Sequence, residues 1–322
     1  MIKPSFYDNF ECKADKCTDT CCAGWEIEID DISMQKYKNI KSDFAKKLLE
    51  SIEYIDSQPC FCRDKNDRCV FLDKNGLCDI YSELGKSYLC DICREHPRFY
   101  DEFDDIVEAG LGLCCEKVCE MLFDNDFEIV YDINSDSIEE DIEILLSCRQ
   151  YIFDILKNTQ LPFEKRITEC LEYSEKMQNE LFDVYSNMFV FEKDMFFEFI
   201  LESYKKTEPI NEKWSELIDK MQLNLKSILE ISGNYNFDDT VYSKVMSYII
   251  YRHFMQVRFD GEILSVVRMA LMAVTFMYMC ECLAVSEKQE VLVSDKINII
   301  KLWSQQMEYS AENINYCLTI VQ

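Results

Sequence analysis

The sequence predicts a mainly α-helical protein, in which a bundle-like helical body carries a small, irregular, cysteine-rich N-terminal lobe with short β-hairpins. Glycine and proline are scarce, at 7 and 5 of 322 residues, although tight turns and strand-rich folds need both. Thirteen of the 18 cysteines lie in the first 119 residues, whereas amphipathic helical patterns dominate from about residue 137. We therefore expect a cluster-binding lobe at residues 1–125 and a helical domain at residues 126–322.

The elements of the lobe are short. Apolar residues at helical spacing predict a helix over Asp30 to Ser51. Asn75-Gly76 is a favoured turn pair and predicts a hairpin over Cys69 to Tyr81, which would bring Cys69 and Cys78 near each other. A short helix over Ser82 to Cys93 and a short strand over Phe103 to Val107 complete the expected lobe.

The second part of the chain is expected to be helical throughout. The predicted helices lie near residues 137–158, 163–190, 192–206, 212–231, 240–259, 262–285 and 297–319. The longest apolar stretch, Met269 to Cys280, is bounded by Arg268 and Glu281. It is too short to span a bilayer and predicts a buried helix instead.

The net charge and the N-terminal residues indicate which partners and which cellular location to expect. The net charge is −27, so the chain has no basic footprint for nucleic acid, and we expect none as a partner. An acidic surface attracts a cationic partner such as a lysine-bearing protein, although it also serves solubility alone. The N-terminal residues have no pattern of a secretory signal. We expect a cytoplasmic protein without membrane association.

The crowded cysteines indicate either disulfides or thiolate ligands of zinc or an iron–sulfur cluster. A reducing cytoplasm favours metal. Cys17-x3-Cys21-Cys22 suits an arc of cluster ligands, although Cys21 and Cys22 point to opposite sides unless the backbone bends, as Gly24 would allow. The spacing C-x3-C-x2-C of radical enzymes is absent, and so is G-x-G-x-x-G, which disfavours a Rossmann-type enzyme.

An ordered set of motifs in the first 120 or so residues resembles the flagellin lysine-N-methylase family. The set comprises Cys12-x4-Cys17-x3-Cys21-Cys22-x-Gly24-Trp25, Cys69 and Cys78 around Asn-Gly, Leu84-Gly85, Cys93-Arg-Glu-His-Pro-Arg98, and Gly-Leu-Cys-Cys115. A weaker likeness extends to cysteine-cluster proteins suspected of chelating zinc or iron. The resemblance implies methyl transfer from S-adenosyl-L-methionine to lysines of flagellin, and it implies a [4Fe-4S] cluster.

Carried onto this sequence, the resemblance implies eight metal-ligand candidates: Cys12, Cys17, Cys21, Cys22, Cys69, Cys78, Cys93 and Cys115. One cubane cluster needs only four thiolates, so two sites, or one site with additional structural thiols, are both open. The remaining early cysteines are interpreted as small buried hydrophobes or exposed thiols, namely Cys60, Cys62, Cys90, Cys114 and Cys119. The five later cysteines are interpreted as core residues of helices.

Three residues are candidates for binding S-adenosylmethionine. Trp25 offers an aromatic wall for the sulfonium or shielding for a cluster. Arg252 and Arg258 offer guanidinium groups for the carboxylate of the cofactor, with an internal ion pair to Asp260 or Glu262 as the alternative. Lysine methylation also needs a base or a desolvated pocket, because the ammonium has a pKa of about 10.4. His96 and His253 are possible bases, but both also fit structural roles, and no catalytic residue is predicted.

The sequence thus leads to two hypotheses from different classes. The first is an S-adenosylmethionine-dependent protein-lysine N-methyltransferase that acts on flagellin and carries a [4Fe-4S] cluster. The alternative is a non-enzymatic zinc- or iron-binding cysteine-cluster module on a helical scaffold. The first depends on the resemblance, since composition alone supports only a helical protein with thiolate-bound metal.

Overall fold

The structure is a computed structural model that describes residues 1–18, 20–103, 106–133, 138–186, 192–210, 212–288 and 290–322. Among these residues the fold is mainly helical, with a few short strands near the N-terminus. The strands are β1 Ile2–Pro4, β2 Ile52–Ile55, β3 Gln58–Phe61, β4 Arg98–Phe103, β5 Ile106–Leu111 and β6 Ile129–Tyr131. The predicted fold class is confirmed.

The helices fall into an early set of short elements and a later set of longer ones. The early set is α1 Asp31–Lys38, α2 Asp43–Glu50, α3 Asp79–Leu84, α4 Asp91–Glu95 and α5 Glu116–Asp124. The later set is α6 Glu140–Lys157, α7 Phe163–Phe182, α8 Lys193–Lys205, α9 Glu212–Leu223, α10 Leu225–Ser232, α11 Asp239–His253, α12 Val257–Asp260, α13 Ile263–Lys288, α14 Val293–Glu308 and α15 Ala311–Ile320.

The chain divides into two compact units. The first, here called the helical unit, consists of Met1–Asp8, Tyr100–Cys114 and Val118–Gln322. The second, here called the cysteine unit, consists of Asn9–Phe99 and Cys115–Lys117. The predicted division into a cluster-binding lobe at residues 1–125 and a helical domain at residues 126–322 stays a prediction.

The helical unit is organised around α13. This helix packs against seven others, namely α7, α8, α9, α10, α11, α14 and α15. Large aromatic side chains fill one part of the core: the ring of Phe276 on α13 lies 5.0 Å from that of Tyr204 and 5.1 Å from that of Trp214. The Nε1 of Trp303 donates a hydrogen bond to the Tyr204 hydroxyl at 3.0 Å, which satisfies the polar atoms inside this apolar core.

Helix α13 is the one helix of the described residues that is long and apolar enough to cross a membrane. Over its most apolar window, however, 83% of the residues are buried inside the protein. The prediction of a buried helix agrees with this burial. The helix predicted near residues 262–285 agrees with α13, Ile263–Lys288. The expectation that the apolar segment is too short to span a bilayer is wrong, because the helix continues through Arg268 and Glu281 and is long enough by length and composition.

The helical unit also contains a small sheet, except for the first two residues of β4, Arg98 and Phe99. Its strands are arranged in the order β4-β5-β1-β6. Strand β1 pairs in parallel with β5, with Ile2 opposite Glu108, and antiparallel with β6, with Lys3 opposite Val130. The Tyr251 hydroxyl donates to the carbonyl oxygens of Ile2 and Ala109, each at 3.0 Å, and so fastens α11 to this sheet.

The cysteine unit has its own hydrophobic core. Tyr37, Leu48 and Phe71 are fully buried, and the rings of Phe61 and Phe71 meet edge to face at 5.2 Å. The predicted single helix over Asp30 to Ser51 is instead the pair α1 and α2. The second helix starts anew because the Ser42 side chain accepts a hydrogen bond from the Ala45 backbone N–H and caps it.

The hairpin of the cysteine unit lies elsewhere than predicted. Strands β2 and β3 pair antiparallel, and Asp56 and Ser57 join them with φ of 47° and 71°, as a type I′ turn requires. Asn75-Gly76 forms only a tight turn, in which the Gly76 N–H bonds to the Asp73 carbonyl oxygen at 3.1 Å and Leu72 and Cys78 form an isolated bridge. The Asp73 carboxylate stabilises this turn by accepting hydrogen bonds from the Asn75 and Leu77 N–H groups.

Candidate metal centre

Five thiols surround one cavity inside the cysteine unit. The cavity is small, with a volume of about 20 Å³. The cysteines that line it are Cys22, Cys69, Cys78, Cys90 and Cys93. The rest of the wall is hydrophobic and includes Phe61 and Phe71. We call this arrangement the inner thiol site.

Backbone hydrogen bonds bring these distant cysteines together. The Cys69 N–H donates to the Cys22 carbonyl oxygen at 2.8 Å, and the Gly24 N–H donates to the Asp67 carbonyl oxygen at 3.0 Å. Gly24 has φ of +84°, so the chain bends immediately after the adjacent cysteines, as the sequence allowed. Cys78 and Cys90 are the residues that immediately precede α3 and α4, and Cys93 lies within α4.

The thiols of the inner site differ in proton affinity. The Cys21 thiol donates a hydrogen bond to Cys22, and this bond, helped by Thr20 and Arg68 against the effect of burial, lowers the pKa of Cys22 to about 7. A side-chain hydrogen bond from Cys93 likewise lowers the pKa of Cys90. Burial instead raises the pKa of Cys69 to about 12. Two positions are thus predisposed to be thiolates, the form that binds metal.

The inner thiol site fits a thiolate-bound metal group. Its donors are all soft sulfur atoms, as zinc and iron–sulfur clusters prefer. Among the described residues, no three His, Cys, Asp or Glu side chains already converge on a point that a single ion would occupy. The sulfur atoms instead border the small cavity, and they would have to move inward to hold an ion or a cluster. Four of the five cysteines would hold a [4Fe-4S] cluster, and the fifth would remain a neighbour.

Four further thiols form a second group in the same unit: Cys12, Cys17, Cys21 and Cys115. The negative charges of Cys12 and Cys115, when these are thiolates, raise the pKa of Cys17. The same two residues also raise the pKa of Cys21. Burial, followed by the negative charge of Glu116, raises the pKa of Cys17 to about 11. We call this group the outer thiol site.

The eight predicted ligands therefore lie in one unit, divided between two neighbouring sites. The structure adds Cys90, which the sequence analysis had interpreted as a structural thiol. The signal was available, because Cys90-x2-Cys93 is the single CxxC of the chain. Cys60 is buried and Cys62 half-buried in the same unit, and Cys114 and Cys119 are buried in the helical unit. The assignment of ligands stays a prediction.

All 18 cysteines lie within the described residues, and no two of them are joined by a disulfide bond. The metal interpretation of the crowded cysteines stays a prediction.

Trp25 lies beside the cysteines rather than in an open pocket. Its Nε1 donates to the Cys21 carbonyl oxygen at 2.7 Å, and its ring stacks on that of His96 at 6.0 Å between centroids. Burial lowers the pKa of His96 to about 4. An imidazole with this pKa is a poor acceptor for the proton of a lysine ammonium, so its stacking on Trp25 is the better explanation of its position.

Arg252 takes part in an internal ion pair of the helical unit. Its Nε lies 3.3 Å from the buried carboxylate of Glu308, and its Nη1 donates to the Tyr248 hydroxyl at 2.9 Å. The Nε2 of His253 lies 3.7 Å from the same carboxylate. Burial opposes ionisation of Glu308, but Arg252 and His253 prevail and lower its pKa. An internal pair was the predicted alternative, although with Asp260 or Glu262 as partner.

Arg258 also faces a carboxylate, since its Nη2 lies 3.4 Å from Glu139. Arg252 and Arg258 belong to the helical unit, whereas Trp25 belongs to the cysteine unit. The structure therefore does not gather the three predicted cofactor-binding residues within one unit. Their role in binding S-adenosylmethionine stays a prediction.

Comparison with known families bears on the cysteine region. Residues 11–109 match the CxxCxxCC family, described as "Putative zinc- or iron-chelating domain". This segment contains the inner thiol site in full and three of the four outer thiols.

Curated relatives point in the same direction. The chain is similar to lysine-N-methylases. It is 26% identical over 138 residues to the lysine-N-methylases of Salmonella choleraesuis and Salmonella typhimurium, covering 39% of this chain and 33% of each of theirs. The identity to the flagellar biosynthetic protein FliU of Salmonella muenchen is also 26%, over 39% of this chain and 78% of FliU. The resemblance found from the motifs is confirmed.

The chain thus matches only a third of the length of these lysine-N-methylases. No solved structure matches it.

Proposed function

We propose that this protein is a cytoplasmic protein-lysine N-methyltransferase that uses S-adenosylmethionine, acts on flagellin and holds a [4Fe-4S] cluster in its cysteine unit. The observation that supports the metal group is the gathering of five free thiols around one apolar cavity. The similarity to lysine-N-methylases and to FliU supports the reaction and its flagellar substrate.

The chemistry sets two requirements for such an enzyme. The lysine ammonium must first lose a proton, and the free amine then attacks the methyl carbon as the carbon–sulfur bond of the sulfonium breaks. The acidic chain, with its net charge of −27, favours the approach of a lysine-bearing surface. The cluster, held by cysteines of the inner thiol site, would stabilise the fold of the cysteine unit because ligation energy is also folding energy.

A second function is favoured by a specific observation. The family match is confined to residues 11–109, and the curated lysine-N-methylases extend well beyond the part that this chain matches. A non-enzymatic module that binds zinc or iron on a helical scaffold would need the cysteine unit alone. Both functions include a metal bound by the cysteine unit, but only the first includes methyl transfer.

The test is transfer of a labelled methyl group to flagellin. Protein purified without oxygen, with its iron and sulfide measured, is incubated with flagellin and S-adenosylmethionine carrying a labelled methyl group. We expect label on lysine side chains, and no label when the lysines of flagellin have been acetylated beforehand. Unlabelled flagellin in the presence of a verified cluster would contradict the methyltransferase and support the metal-binding module.

A further inference from the structure

Two aromatic side chains of the helical unit lie almost entirely in solvent. Phe259 is 81% exposed and Tyr185 is 74% exposed, the highest values for any Phe, Tyr or Trp among the described residues. Aromatic side chains are enriched where proteins bind each other, because one ring supplies a large contact area. A single exposed ring needs no explanation, but two rings on one part of the surface do.

The segments that carry these rings are packed against each other. Gly261 follows Phe259 by two residues, and an added Cβ at Gly261 would lie 2.8 Å from the Phe182 Cβ and 3.2 Å from the Val184 Cγ2. Val184 directly precedes Tyr185. The two rings therefore belong to one part of the surface. We call it the aromatic patch and define it as residues 180–186 and 258–262.

A buried glutamine fixes the segment that carries Tyr185. The Gln178 side chain is fully buried, and its Nε2 donates to the Ser186 hydroxyl at 2.7 Å and to the Val184 carbonyl oxygen at 3.4 Å. Its Oε1 accepts a hydrogen bond from the Leu264 N–H at 2.9 Å. The backbone on both sides of Tyr185 is thus held before any partner binds, so that binding costs little conformational entropy.

The charges of the aromatic patch are mainly negative. It contains one cationic side chain, Arg258, whose Nη2 already lies 3.4 Å from Glu139. Asp183 lies beside Tyr185, because its carboxylate accepts a hydrogen bond from the Tyr185 hydroxyl and so raises the pKa of that hydroxyl. Helix α7 also ends here, and a helix C-terminus carries a partial negative charge. The carboxylates of the patch are Glu180, which also pairs with Lys176, and Asp183, Asp260 and Glu262.

Exposed rings next to carboxylates are complementary to cationic side chains. The ammonium of a lysine binds the face of an aromatic ring within about 6 Å of its centroid, and the apolar stem of the lysine covers the ring. The nearby carboxylates attract the same ammonium, whereas they repel nucleic acid and acidic proteins. The aromatic patch therefore fits a protein surface that bears lysines.

We propose that the aromatic patch is the docking surface for a lysine-bearing segment of the protein substrate. That this substrate is flagellin rests on the proposed function. The surface itself is defined by the exposure of Phe259 and Tyr185, by the packing at Gly261 and by the charges around the rings. Docking at this patch determines how tightly the substrate binds and leaves the rate of the chemical step unchanged.

The test is direct binding of labelled flagellin monomer to the full chain, purified without oxygen, measured by fluorescence anisotropy without S-adenosylmethionine. The double variant Phe259→Ala/Tyr185→Ala removes both rings. Leu223→Ala is the matched control, because Leu223 is 87% exposed in the same unit, at the end of α9. We expect the double variant to bind flagellin about tenfold more weakly, as the loss of two exposed cation–π contacts would give. Both variants should keep the wild-type melting temperature.

A charge variant tests the partner. Asp183→Asn/Asp260→Asn removes two carboxylates and keeps the size of both side chains, so we expect weaker binding of flagellin and a smaller dependence of binding on salt. Flagellin with acetylated lysines should bind the wild type weakly, and removal of the two rings should not weaken that binding further. Tight binding of acetylated flagellin would overturn the proposed recognition of lysine.

The failure of this inference is distinguishable from that of the proposed function. Equal binding of flagellin by the double variant and by Leu223→Ala would overturn the docking surface and leave methyl transfer untouched. Weaker binding by the double variant would support the docking surface even if the wild type transferred no methyl group, a result that contradicts the proposed function alone. A wild type that binds no flagellin would overturn the docking surface.

Two further measurements address a second copy of the chain and a variant that fails to fold. If the wild type self-associates in analytical ultracentrifugation and the double variant does not, the patch binds a second copy, which would overturn the proposal. Hydroxyl-radical footprinting of the wild type needs no variant. We expect flagellin to protect Phe259 and Tyr185 but not Leu223, and equal labelling of the two rings with and without flagellin would overturn the docking surface.

Discussion

Among the thiols of the inner site, Cys78 is held in a fixed position by the surrounding backbone. Cys78 lies directly before α3, and the neighbouring Asp79 N–H bonds to the Phe71 carbonyl oxygen at 2.7 Å, so this thiol is fixed against the hydrophobic core. A ligand in a fixed position contributes to folding when metal binds, because the unfolded chain has no such site.

We predict that Cys78→Ser releases metal and destabilises the cysteine unit. The loss should be on the order of 3 kcal/mol, about a quarter of the roughly 10–16 kcal/mol that a four-ligand site contributes. Metal content and the urea unfolding midpoint measure it, with Cys62→Ser as control. Equal metal content and equal midpoints in the two variants would show that Cys78 is not a ligand.

The buried ion pair of Arg252 with Glu308 should stabilise the helical unit. Removing one partner of a buried pair leaves the other charge without compensation, so Arg252→Gln should cost about 3–5 kcal/mol of unfolding free energy. Arg258→Gln is the matched control, because Glu139 is largely exposed and such a pair contributes about 0–1 kcal/mol. A stable Arg252→Gln protein with a raised KM for S-adenosylmethionine would instead support the predicted role in cofactor binding.

At the level of elements, the helices of the helical unit were predicted in part. The predicted helices at 212–231, 240–259 and 297–319 are each two shorter helices in the structure. Periodic apolar residues predict long helices. The predicted helix at 163–190 extends too far, because α7 ends at Phe182, where Asp183 adopts a left-handed backbone; residues 187–190 lie outside the described residues.

The short elements of the cysteine unit are less well predicted by the spacing of apolar residues. Its type I′ turn uses Asp56 and Ser57, which carry no glycine signal, so the hairpin was placed instead at Asn75-Gly76.

The turn between α12 and α13 offers a prediction for one element. Gly261 has φ of +76°, and an added Cβ would lie 2.8 Å from the Phe182 Cβ. Gly261→Ala should therefore cost about 1–2 kcal/mol for the left-handed backbone and a further ~1–3 kcal/mol for overpacking.

Gly76→Ala is the matched control, since φ is +82° there and the nearest atom to an added Cβ is 3.7 Å away. Thermal unfolding of both variants would separate strain from crowding. If Gly261→Ala is no less stable than Gly76→Ala, the close approach of Phe182 does not constrain this turn.

At the level of the whole molecule, the sequence identified the cysteine-rich region but not how its thiols are arranged. Motif order brought together eight cysteines, yet only the fold shows that Cys90 lines the cavity and that Glu116 holds Cys115 beside Cys12 and Cys17. The contacts of Glu116 join residues distant in sequence, so no local pattern could reveal them, whereas the spacing Cys90-x2-Cys93 was a local signal for Cys90 that the sequence analysis did not use. The partner of Arg252 was missed for the same reason, because Glu308 lies 56 residues beyond it in sequence.

The charge of the whole chain gives a further prediction. A net charge of −27 attracts a lysine-rich surface over distances that salt shortens, with a Debye length of about 10 Å at 0.1 M. We expect the KM for flagellin to rise several-fold between low salt and roughly 0.3 M salt while kcat changes little. Methyl transfer measured across that range checks it, and a KM independent of salt would show that the acidic surface serves solubility alone.

The most direct test of metal binding is the metal content of the native protein, purified without oxygen. We predict iron and sulfide in equal amounts, with a broad absorbance near about 400 nm from thiolate-to-iron charge transfer. Zinc without iron would contradict the cluster and favour the metal-binding module. Protein that is free of both metals, with its early cysteines joined in disulfides, would contradict the central claim that these thiols gather around metal.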